Sequence, residues 1–165
     1  MRSLYLLSVT LHLLAAMLWL GGTFFLALVG APVLRRVESA PLRSELFNRL
    51  GVRFRVVGWI AIALLVVTGI ANLSFRGVLD PDTLGSASFW QGRYGQTLGW
   101  KLTIVVVMVS LSAVHDFLLG PRVARLPPGS AEAAVGRRRA SWLARFNAVL
   151  GVALVAAAVR LARGG

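Results

Sequence analysis

Few residues in this chain could do chemistry, and most of them fall inside apolar stretches. There are two histidines, His12 and His115, no cysteine and three methionines. His12 sits within LYLLSVTLHLLAAMLWLGGTFFLALV, Leu4 to Val29, which holds no Asp, Glu, Lys or Arg. An imidazole in a lipid-length helix costs free energy unless it faces protein, water or a ligand. Lys101, Met108 and His115 recur at a spacing of seven, so they share nearly one face of their helix. With a rise of ~1.5 Å per residue, His12 lies ~12 Å down its helix, Met108 ~15 Å and His115 ~25 Å down theirs. A His12/Met108 pair suits haem iron or copper, and Thr68 reaches the same upper layer. His115 belongs to a lower layer with Trp19, Trp59 and Asn147, with Asp116 and Arg145 at its edge. Each residue also has a plainer reading. His12 could hydrogen-bond Thr68 or a carbonyl, Met108 could fill a gap in the packing, and Lys101 could snorkel to the interface. Trp19 and Trp59 either pack or flank a flat cofactor.

The absence of cysteine excludes disulfides, thiolate metal sites and thiol catalysis. The chain shows no HExxH, phosphate loop, paired carboxylates or Ser-His-Asp arrangement.

Four apolar spans must position these groups. In 165 residues the chain is 57% hydrophobic and 15% charged, with mean hydropathy +0.74, beyond the balance of a soluble domain. A span needs roughly 20 apolar residues, and the sequence places spans at about 4–29, 56–75, 98–119 and 142–161 of one transmembrane domain, 1–165. The first is longer than a signal-peptide core of about 7–15 residues, so it reads as retained. Gly30-Ala31-Pro32 and Gly120-Pro121 read as helix stops. Leu42, Leu46, Phe47 and Leu50 suggest a separate short surface helix after the first span. Gly21, Gly22 and Gly69 suggest close helix approach, and Trp90, Tyr94 and Trp100 an interfacial belt. No internal repeat stands out.

Short connections give an all-α antiparallel four-helix bundle. The charge distribution orients it. Of 18 Lys and Arg, twelve lie in the first and third loops and the start of the fourth span: Arg35, Arg36, Arg43, Arg49, Arg53 and Arg55, then Arg122, Arg125, Arg137, Arg138, Arg139 and Arg145. The positive-inside rule puts these loops in the cytoplasm and both termini outside. The surplus of +12 therefore reads as topology and contact with anionic lipid, and no nucleic-acid partner is expected.

His12-Leu-Leu-Ala-Ala-Met-Leu-Trp19-Leu-Gly21-Gly22-Thr-Phe24, with the exit Ala31-Pro32-Val-Leu-Arg35, resembles the first helix of the copper-resistance protein D superfamily. The same H-x6-W-x-G framework, with Gly99-Trp100-Lys101 and Val114-His115, is similar to HemJ-type membrane protoporphyrinogen oxidases. The resemblance spans the first three helices, and the fourth adds little. It implies a bacterial inner-membrane protein that handles haem or copper. On the haem side, His12 is the leading ligand, supported by Lys101 and His115.

The reading is therefore a multi-pass protein that binds haem b through His12. Met108, His115 or an open position lies opposite, and the role is redox, electron transfer or diatomic-gas binding. A haem-dependent oxidoreductase activity, a quinone or other electron-transfer partner and a homodimer through the small-residue faces are compatible with it. The rivals are a copper-transporting or copper-binding protein and a cofactor-free assembly partner.

Overall fold

The apolar periodicity becomes four long helices in the computed structural model, which describes residues 2–127 and 129–164. In chain order they are α1 (Arg2–Arg35), α2 (Ala40–Phe75), α5 (Arg93–Ala124) and α6 (Ala131–Ala162). Two short helices, α3 (Pro81–Gly85) and α4 (Ala87–Gln91), fold the loop between α2 and α5. All four long helices are long and apolar enough to cross a membrane. At 32 to 36 residues each is ~50 Å long, well beyond the ~30 Å hydrocarbon core.

That excess length corrects the expected ends. Neither glycine–proline pair stops its helix. Before Pro32 the chain winds as a π-helix over Leu26–Gly30, and before Pro121 over Val114–Leu119. The Ala31 N–H reaches back to the Leu26 carbonyl, and the Gly120 N–H to that of His115. Proline lacks an N–H and its ring crowds the carbonyl four residues back. A wider turn just before it moves that carbonyl aside, so the helix passes through. The expected surface helix at 41–50 is also not separate: α2 runs unbroken from Ala40. Its only interior breaker there is Gly51, and one glycine costs about 1 kcal/mol, too little to end a helix supported on both sides. Ser39 caps the start through the Leu42 N–H. At the head of α6, Ser130 does the same for Ala133 at 3.2 Å, so the fourth helix begins well before Trp142.

The bundle is two helical hairpins, α1 against α2 and α5 against α6, joined chiefly where α1 meets α6. The hairpins correspond. Counted back from Pro32 and Pro121 at equal spacing, Trp19 matches Met108 and His12 matches Lys101. The sequence hides this repeat because the matched residues differ in type.

Trp19, Leu20, Ala61, Ile62, Met108 and Leu154 form the central core. A second cluster of Val78, Leu98 and Leu161 closes one end beneath the α3–α4 loop. Phe89 and Tyr94 pack on it, so Tyr94 is part of a cap, whereas Trp100 is 70% exposed. Large side chains such as Leu28, Val106 and Val149 point outward. This inside-out distribution suits a lipid solvent.

Candidate functional site

Polar side chains gather at two heights, on either side of the central core. The upper centre is built by α1 and α2. His12 Nδ1 lies 2.8 Å from Thr68 Oγ1, and Thr68 Oγ1 is 2.6 Å from the Leu64 carbonyl. A hydroxyl has one proton, and the carbonyl can only accept. Thr68 therefore donates to Leu64 and accepts from His12 Nδ1–H. This pattern leaves the His12 Nε2 lone pair free, the arrangement in which a second partner orients a metal-ligating imidazole.

The ring lies against Gly69 of α2, where a β-carbon would meet His12 Cε1 at 3.5 Å, an ordinary contact distance. Ser8 Oγ adds a long contact of 3.4 Å to the Thr68 carbonyl. One turn beyond Thr68, the Asn72 Oδ1 is buried without a partner among the described residues. Lys101 of α5 is partly buried.

The lower centre is a cavity of about 740 Å³ between the Arg-rich ends of the helices. Trp19, Trp59, His115, Asp116, Arg145 and Asn147 all line it, so the lower layer expected from depth alone is assembled here. Asp116 ties two of them together. Its Oδ1 is 2.9 Å from His115 Nδ1, and its Oδ2 accepts from Trp59 Nε1 at 3.0 Å. Both carboxylate oxygens are thus engaged, and α2 is joined to the π turn of α5. Asn147 of α6 donates to Ser112 Oγ at 3.1 Å, while its own Oδ1 is buried and unpartnered among the described residues. Arg35, Arg43, Arg55, Arg137 and Arg138 also face the cavity.

The three residues spaced by seven on α5 therefore reach three different settings. Lys101 is partly buried near the start of α5, Met108 is wholly buried in the apolar core, and His115 opens into the cavity. Met108 packs with Trp19 and Leu154, while His12 bonds Thr68, so their surroundings differ despite their similar depth. Among the described residues no three His, Asp or Glu side chains cluster as a ready-made metal site. Sequence reasoning missed two features here. One is the buried Arg55 Nε, which has no partner among the described residues. The other is the bond from Arg35 to Ser141 Oγ at 2.6 Å, which links α1 to α6. An arginine directly before an apolar run was the available signal for Arg55.

Fold and site together define a polytopic four-helix membrane protein with polar groups held between its helices. The copper resistance protein D family matches residues 48–161, and the chain belongs to that family. The match takes in the fourth helix, which the sequence resemblance had left aside, and begins after His12. An uncharacterized protein of Aquifex aeolicus is 30% identical over 99% of this chain and 97% of its own length. Copper resistance protein D of Pseudomonas syringae is 31% identical over 66% of this chain. The aligned region is only 34% of that relative. No solved structure matches.

Proposed function

We propose that this chain handles copper in the bacterial inner membrane, with the ion as cargo and His12 as a ligand along its path. Family membership is the observation that carries this reading, since the Pseudomonas relative is named for copper resistance. The His12 Nε2 lone pair adds chemical support, because imidazole is a suitable donor for copper. One imidazole is a weak hold, which suits an ion that must enter and leave again. The Arg-rich loops face the cytoplasm in this reading, and both termini lie outside.

The test is copper binding by the detergent-purified full chain, measured by elemental analysis and by competition with a Cu(I) chelator. Wild type and His115→Ala retain copper, and His12→Ala loses it. Equal retention by His12→Ala would refute the assignment.

A second reading keeps haem b at the same nitrogen. Its support is the same Nε2 lone pair, since imidazole also suits haem iron. It requires a Soret band that His12→Ala abolishes. A colourless protein purified from haem-sufficient cells would exclude it.

A further inference from the structure

We propose that the lower cavity is a binding site for one anionic phospholipid. Its head group would lie among the arginines, and one acyl chain would enter between the helices. This inference is independent of the copper reading, which rests on His12 at the other height.

Charge complementarity points to the ligand. Among the described residues six arginines line the cavity, and Asp116 is the only acidic residue beside them. Both Asp116 oxygens are already occupied by His115 and Trp59, so it does not serve the guanidiniums. Some of these have internal partners: Arg35 holds Ser141, Arg43 donates to the Val37 carbonyl, and Arg145 lies over the Trp142 ring. Arg55 does not, and its buried Nε is left without a partner among the described residues. A buried donor on a cation is costly at the edge of a membrane unless an anion or water meets it.

Asn147 also lines the cavity, with its amide oxygen turned beneath the surface. Asn147 is 7% exposed, and its Oδ1 is unpartnered among the described residues. Arg137 and Arg138 line the cavity too, so a ligand there meets guanidinium groups and carries an anionic oxygen. The phosphate ester of a lipid head group carries one. The remaining walls, including Phe47, Leu50, Phe54 and Leu143, are apolar and suit a hydrocarbon chain rather than a free ion. The volume of about 740 Å³ lies within the ~300–1,000 Å³ of cavities that enclose a small molecule. Basic recesses between spans on the cytoplasmic side are a recurrent setting for anionic head groups.

The experiment is native mass spectrometry of the full chain in neutral detergent, titrated with phosphatidylglycerol, phosphatidylcholine of the same chains, or inorganic phosphate. One phosphatidylglycerol is expected to bind at least tenfold more tightly than phosphatidylcholine, with inorganic phosphate unable to displace it. Arg55→Gln with Arg145→Gln should lower that affinity about tenfold. The pair Arg55→Lys with Arg145→Lys should restore most of it, which separates lost charge from lost fold. Arg53→Gln with Arg125→Gln, outside the cavity lining, should leave it unchanged. Equal affinity for the two lipids would overturn the proposal. So would an equal loss in the outer pair, displacement by inorganic phosphate, or haem occupying the cavity.

Discussion

His12 and Thr68 share one proton relationship: Nδ1–H of the imidazole donates to an oxygen whose own hydrogen is committed to the Leu64 carbonyl. The ring is thereby fixed in orientation and tautomer, with Nε2 exposed for another partner.

Thr68→Val removes the acceptor and keeps the shape. If His12 ligates metal, its affinity for copper should fall ~10–100-fold, the usual cost of losing an orienting partner. Thr68→Ser should stay near wild type. Chelator competition reads both, and an unchanged Val variant would show that the threonine does not orient the ligand.

The two adjacent glycines of α1 should respond differently. A β-carbon at Gly22 would run into the Phe54 ring, whereas Gly21 has open space around it. Gly22→Val is expected to loosen the α1–α2 hairpin and lower the melting temperature in detergent by several degrees. Gly21→Val should shift it little. Similar shifts in both would mean that the contact with Phe54 does not set the helix spacing.

Asp116→Ala strands the Trp59 indole N–H, and an unsatisfied buried donor costs about 1–3 kcal/mol. Trp59→Phe removes that donor. The double variant should therefore lose less stability than the sum of the two single changes. Thermal unfolding of the four proteins measures the coupling, and strict additivity would deny the bond any role in holding α2 to α5.

The chain has no cysteine, so introduced thiols report topology cleanly. In intact cells a membrane-impermeant maleimide should label Asp82→Cys in the α3 region and spare Arg125→Cys after α5. The reverse pattern would invert the proposed orientation.

Four spans, an all-α bundle and its hairpin order were legible because apolar length is a one-dimensional signal. Helix ends were not. Hydropathy falls at Arg35 and rises at Val56 because the solvent changes, while the backbone of α2 continues through Arg43, Arg49 and Arg53 in water. Gly30 and Pro32 looked like punctuation because residue types do not reveal a wider turn that accommodates the proline ring.

The lower cavity was readable for a similar reason. Trp19, Trp59, His115, Asp116, Arg145 and Asn147 were grouped by height, and helices in a bundle keep height. His12 and Met108 were also grouped by height. Rise gives depth but not azimuth, and Met108 is turned into the core beside Trp19. Of the two resemblances read on the first three helices, that to the copper resistance protein D family is matched, on residues 48–161, and that to the HemJ-type oxidases is not shown.

The π turns have a consequence for how the bundle is phased. One inserted residue advances everything beyond it by ~100° around the helix axis. Arg35 meets Ser141 just beyond the first of these turns. Removing a single residue from Leu26–Gly30 would leave α1 helical and hydrophobic but turn its last segment away from α6. In this molecule the residue count between His12 and Arg35 works like a gear setting, and the docking of the two hairpins depends on it as well as on what the side chains are.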